Sequence, residues 1–355
     1  MSLSEQAQAS LKASYVVRRV PREMLATQLP VPRMPAPGDV VLAHVEKIGR
    51  NTSLELVGGR RCALHEGDLV VVAFGNRYAT LQFEGYARLD GDRCDLLSMG
   101  GLCGLVETKH ESVSEPSKLK ILGAIGDAQG TPLNIRNHTL TPALSPMHRA
   151  PRVIGVVGTS MDAGKTYTVR SAVLGLRRQG VKVAAIKLTG TASGRDTYAM
   201  LDAGASPALD FIDAGHPSTY LCSLKELLHI YSVLLSQASV QGAECIVVEI
   251  ADGLVQRETT ALLTSQRFVG SVNAWLLAAN DAPGAAGAVA ILKSWGITPL
   301  AITGNASRSK LVIDEVETAT GIQCIPAGEV QTGALNETLL KAPRRLTGEV
   351  KLVVG

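Results

Sequence analysis

The order of apolar and polar positions gives the chain two textures. From Asp39 to about Leu105, short β-rich runs such as DVVLAHVEKIG, TSLELVGG and RRCALHEGDLVVVAFGN alternate with Gly, Asn and Asp turns. That length and spacing predict a small antiparallel barrel or sandwich. Residues 1–36 read as a lead-in ending on the proline-rich PVPRMPAPGD, which continues neither a helix nor a central strand. Residues 106–150 are polar and turn-rich, with prolines at 116, 132, 142 and 146 and another at 151.

After Arg152 the period changes. VIGVV (153–157) is an apolar strand. The helix after it carries Val169, Ala172, Val173 and Leu176 at i, i+3, i+4 and i+7, and Gly180 stops it. VKVAAIK follows as a strand, and Ser223 with Glu226 forms a capping box before the apolar face Leu224, Leu227, Leu228, Tyr231, Leu234 and Leu235. CIVVEI, AWLLAAN and PLAIT are further strands, with GAAGAVAILKSW as the helix between the last two. The predicted fold class is α/β, with a mostly parallel sheet and helices on both faces, preceded by a smaller β-rich domain. The expected domains are 1–150 and 151–355, with ligands at the carboxyl ends of the parallel strands.

Composition narrows the function classes. Of 355 residues, 46% are hydrophobic but only 4% aromatic, which suits Val/Leu/Ile/Ala strands covered by helices. A net charge of +3 gives no reason to expect nucleic acid or an acidic membrane as a partner, and the short basic clusters Arg18-Arg19 and Arg344-Arg345 read as solvated termini. Six scattered cysteines without a CxxC pair suit a reducing compartment, and no run reaches membrane-span length, so a cytoplasmic protein is expected.

Gly158-Thr159-Ser160-Met161-Asp162-Ala163-Gly164-Lys165-Thr166 matches GxxxxGK[ST], between a buried strand and an amphipathic helix. Glycines let backbone N–H groups approach phosphate oxygens, and the helix N-terminus adds positive potential there. Lys165 can bridge phosphate oxygens and the Thr166 hydroxyl can ligate Mg²⁺, with Tyr167 next in line as a nucleotide neighbour. The phosphate loop thus predicts ATP, or a close relative, together with Mg²⁺.

Glu249 ends the strand CIVVE, where a metal contact or water-orienting group belongs; a solvated acid at a strand end is the alternative. Lys187 ends VKVAAIK before Leu188-Thr189-Gly190, and is either an anchor for a second anion or a surface lysine. Asp196 opens the next helix, where it can simply be an N-cap.

In order and spacing, GTSMDAGKT, Lys187-Leu-Thr-Gly, Asp196-x-x-Ala, VVEIADG and ITGN followed by IPAGE resemble dethiobiotin synthetase over residues 152 to about 330. The resemblance implies a MinD-like P-loop fold and phosphorylation of a carboxylate-like group. It implies Thr166, Asp196 and Glu249 as Mg²⁺ ligands, Lys165 as the phosphate lysine, Lys187 as the acceptor lysine and Asn305 as the adenine contact. The chain departs from that pattern at Ser160, which stands in place of an aspartate, at Leu188 in place of a proline, and in EIADG. Its β-rich domain has no counterpart there either. The resemblance is therefore to a related two-domain group, not to dethiobiotin synthetase itself.

The function expected is an ATP- and Mg²⁺-dependent kinase or ligase acting on a small acidic metabolite. Lys165, Lys187 and Glu249 are its catalytic candidates. Lys187, Thr189, His216, Ser218 and Thr219 are its substrate contacts, and a homodimer is its expected state. The alternative is a nucleotide-driven switch or metal-insertion chaperone of the MinD-like class, disfavoured by Thr159 at the position of the signature lysine of those proteins.

Overall fold

The computed structural model describes residues 10–143 and 150–342. Arg344 and Arg345 lie outside them, as does part of the expected boundary near residue 150. Among the described residues no helix is long and apolar enough to cross a membrane. The chain divides into two units.

Unit 1 takes residues up to Leu140 together with Gly190–Arg195 and Phe211–Leu221. Its frame is β1 (Val40–Lys47), β2 (Leu69–Phe74), β3 (Phe83–Tyr86), β4 (Arg93–Leu96), β5 (Leu102–Lys109) and β6 (Ser117–Gly126). Strands pair in the order β2-β1-β6-β4-β5, and β5 returns to β2 through the parallel pairs Ala73↔Leu102 and Phe74↔Cys103. Of the two expected architectures, this ring is a barrel. Its interior follows the period of two: Val41, Ala43 and Val45 of β1 and Val70, Val72 and Phe74 of β2 all join the buried cluster with Leu96, Leu119 and Ile121.

Three readings of the sequence are corrected in this unit. The lead-in is part of the fold: Tyr15, Val16 and Val17 are buried, and Lys12–Ala13 pairs in parallel with β2. Arg18 and Arg19 are not a solvated cluster, since Arg18 Nη2 lies 2.8 Å from Asp213 Oδ2 and Arg19 Nη1 lies 3.6 Å from Asp213 Oδ1. The sequence assigns Asp213 to the α/β half. It counts with the barrel unit, where its backbone oxygen accepts from Leu140 N at 2.7 Å.

Unit 2 takes Thr141–Thr189, Asp196–Asp210 and residues from Cys222 on. Its sheet is β7 (Arg152–Gly158), β8 (Val183–Lys187), β9 (Ala208–Asp210), β10 (Cys245–Glu249), β11 (Ala274–Ala279) and β12 (Ala301–Gly304). The strands run parallel in the order β9-β8-β10-β7-β11-β12, which puts β7 between β10 and β11. Of the connecting helices, α1 (Lys165–Arg178) and α2 (Gly194–Asp202) precede α3 (Leu224–Val240) and α4 (Ala282–Ser294).

Both faces of the sheet are covered. Ala274 and Leu276 pack with Val169, Ala172, Val173 and Leu176 of α1. Trp275, pointing the other way, meets Phe268 edge-on, and Phe268 meets Tyr231 of α3. The capping box forms as the sequence predicts, with Ser223 and Glu226 each satisfying the other's backbone N–H at the start of α3.

Candidate functional site

The phosphate loop leaves β7, which lies between β10 and β11, and enters α1 at Lys165. It is hung from the strands beside it. Thr159 N donates to Ala278 O at 3.0 Å, and Asn305 N donates to Ala163 O at 3.2 Å. Gly164, the N-cap of α1, has φ +99°, and a Cβ on it would come within 2.9 Å of the Cα of Gly304. Glycine is required there twice over, by conformation and by the close approach of the end of β12.

Unit 2 is a parallel α/β fold with a phosphate-loop sequence between a central strand and the helix after it.

Inside the loop, Lys165 Nζ donates to Ser160 O at 2.7 Å. Burial lowers its pKa, against the pull of Asp252 and Glu249. One residue on, Thr166 Oγ1 donates to Glu249 Oε1 at 3.0 Å, which ties the helix start to the tip of β10. The other oxygen, Glu249 Oε2, is buried and has no hydrogen-bond partner among the described residues. Burial, followed by the carboxylate of Asp196, raises the Glu249 pKa to about 7 against the opposing effects of Lys187, Lys165 and the Thr166 hydroxyl.

Lys187 ends β8 and its ammonium is bonded to the carboxylate of Asp196 in the first turn of α2. Burial opposes its charge, but Asp196, Glu249 and Asp210 outweigh burial and hold its pKa above the ordinary lysine value. Lys187 is therefore an internal cation and not a surface lysine, and Asp196, the third residue of α2 and not its N-cap, is its ion-pair partner. Thr166, Asp196 and Glu249 present only oxygen donors, one of them an orphaned buried carboxylate oxygen. This is the donor chemistry that suits a hard divalent cation such as Mg²⁺.

The structure brings together Lys165, Thr166, Lys187, Asp196 and Glu249. The Thr189 hydroxyl donates to Ala251 O at 2.6 Å, and the Thr259 hydroxyl donates to the same carbonyl at 2.7 Å, so Thr189 fixes the chain beyond Glu249. His216, Ser218 and Thr219 belong to unit 1, where all three are buried and Thr219 Oγ1 accepts from Gly190 N at 2.8 Å. Tyr167 is partly exposed on α1, with the guanidinium of Arg170 6.0 Å from its ring.

Two residues escaped the sequence reading. Asn280, directly after β11, donates from Nδ2 to Ser160 Oγ at 2.9 Å and accepts at Oδ1 from Asn305 Nδ2 at 2.7 Å. Asn305 Nδ2 also donates to Asp162 O at 2.7 Å. The signal available was an asparagine closing AWLLAAN, the strand beside the phosphate-loop strand. The other residue is Asp210, at the end of a three-residue strand that reads as loop.

No protein-family model and no curated protein matches this sequence. Solved structures similar to it include a DUF1611-family protein from Anabaena variabilis, at 14% identity and TM-score 0.38 over 59% of this chain and 63% of that one. The chain thus spans a little under two thirds of that protein. Another is HypB from Helicobacter pylori in complex with nickel, at 10% identity and TM-score 0.34 over 54% and 86% of the two chains. A third is a ParA-family ATPase from Chlorobium tepidum, at 12% identity and TM-score 0.32 over 56% and 95%. At such identities and scores, no activity is carried from these proteins to this chain.

Proposed function

We propose that unit 2 binds ATP with Mg²⁺ and transfers the terminal phosphoryl group to a carboxylate-like group of a small acidic metabolite, as a kinase or as the first half of a ligase. One observation carries this reading. Lys187, a second buried lysine, stands directly opposite Glu249 in the strand register, in a site whose nucleotide phosphates already have Lys165. A nucleotide alone has little need of it. An anionic acceptor approaching the γ-phosphate does, because the repulsion between the two anions must be offset.

In the proposed reaction a carboxylate oxygen attacks the γ-phosphorus, the bond to the β–γ bridging oxygen breaks, and ADP leaves. Thr166, Asp196 and Glu249 would hold the Mg²⁺, which neutralises charge on the phosphate oxygens. Lys165 holds those oxygens in place, and the loop backbone orients them.

ATP is favoured over GTP by the state of Asn305. Both of its amide hydrogens are engaged, by Asp162 O and Asn280 Oδ1. The side-chain oxygen is left as an acceptor, which suits the 6-amino group of adenine and not the 6-oxo group of guanine.

A second reading, the nucleotide-driven switch, is favoured by one fact of the chain. Gly190–Arg195, flanked directly by Thr189 and Asp196, counts with the barrel unit. ATP hydrolysis measured with and without pooled small carboxylic acids separates the two. Strong stimulation by the acids supports the kinase or ligase, and hydrolysis indifferent to them supports the switch.

A further inference from the structure

Three adjacent strand ends in unit 2 carry Asp210, Lys187 and Glu249 directly opposite one another, through the register pairs Lys187↔Asp210 and Lys187↔Glu249. Residues paired in this way point to the same face of a sheet. All three are buried. With Asp196 they place three carboxylates around one internal ammonium.

The carboxylates differ in access. Asp196, which holds the ammonium, keeps 22% of its side chain exposed, whereas Asp210 is 1% exposed and accepts from Thr197 Oγ1 at 3.1 Å. An ion entering from solvent therefore meets Asp196 first and does not reach Asp210. A buried carboxylate is costly unless it is paired or hydrogen-bonded, and Lys187 is a cation that faces Asp210 across the sheet.

We infer that Asp210 is a positioning residue, which takes over the ammonium of Lys187 when a divalent cation claims the carboxylate of Asp196. An ammonium and a metal ion cannot share that carboxylate without strong repulsion. Moving from Asp196 toward Asp210 takes the ammonium off the carboxylate that the metal claims. Asp210 thus acts through Lys187 and touches neither the metal nor the nucleotide. The inference rests on the Mg²⁺–nucleotide reading given above.

The test titrates Mg²⁺ into the full chain saturated with a non-hydrolysable ATP analogue, with the melting temperature as readout, beside analogue affinity in EDTA. A wild-type protein that binds no analogue and shows no response to Mg²⁺ overturns the parent reading, and this inference with it. Where the wild type responds, Asp210→Asn keeps an acceptor for Thr197 but loses the charge, and should raise the Mg²⁺ midpoint by about tenfold or more. Analogue affinity in EDTA should not change, and Asp210→Glu should recover part of the midpoint shift. Lys187→Gln, which removes the competing cation, should move the midpoint the other way, and it decides the matter if Asp210→Asn does not fold. An unchanged midpoint in Asp210→Asn alongside a lower melting temperature in EDTA would make Asp210 merely structural and overturn the inference. A Lys187→Gln midpoint at or above the wild-type value would overturn it as well.

Discussion

The hydroxyl of Thr166 lies 3.0 Å from Oε1 of Glu249, joining the first turn of the phosphate-loop helix to the tip of the neighbouring parallel strand. Eighty-three positions apart in sequence, the two meet because β10 lies directly beside β7, with Val156 opposite Glu249. The pair leaves Glu249 Oε2 buried and unbonded among the described residues.

Glu249→Gln tests that oxygen. The substitution keeps the size and the Thr166 bond but removes the negative charge. Turnover at saturating Mg²⁺ should fall by about a hundredfold, the scale of a single charge-stabilising group, while analogue affinity changes far less. Steady-state rates beside a binding isotherm decide it. Unchanged turnover would leave Glu249 a structural tether.

Lys187→Ala tests the acceptor. In EDTA the analogue should bind as it does to wild type, since Lys165 is intact. Acceptor-dependent turnover should drop by about a hundredfold or more. Parallel loss of analogue affinity and basal hydrolysis would assign Lys187 to the nucleotide instead.

Asn305→Asp keeps the oxygen acceptor but loses both amide donors to Asp162 O and Asn280 Oδ1. Selectivity for ATP over GTP should fall, because an untethered side chain no longer presents a fixed acceptor to the base. Competition binding of the two nucleotides measures this. Undiminished preference for ATP would place base recognition elsewhere.

The phosphate loop was legible in the sequence because all its parts are contiguous: the strand, the glycines, Lys165 and Thr166 fall within one short stretch. Glu249 and Lys187 were legible as the last residues of apolar strands. Asp210 was not, because its strand is three residues long and its meaning lies in the register with Lys187. Asn280 was hidden in the same way, since its partners Ser160 and Asn305 are brought to it only by the sheet order. The barrel's use of residues 211–221 depends on long-range contacts, such as those of Asp213 with Leu140 and Arg18, which local periodicity does not carry.

That long-range assignment has its own test. Asp213→Ala leaves the partly buried guanidinium of Arg18 without its carboxylate, and should lower unfolding free energy by about 3 kcal/mol, the cost of breaking a buried pair from one side. Urea unfolding of the full chain reads the change. A loss well below 1 kcal/mol, as for an exposed pair, would show that Asp213 contributes little to the barrel unit.

The central claim, that the loop from Gly158 to Thr166 holds nucleotide phosphates, is tested most directly by Lys165→Ala. Its side chain reaches back to Ser160 O and supplies charge to the loop. Titration calorimetry with ATP analogue and Mg²⁺ should show binding to the wild type and none, or binding at least about a hundredfold weaker, to the variant, with closely similar melting curves in the absence of nucleotide. Equal affinity in a folded Lys165→Ala protein would contradict the account.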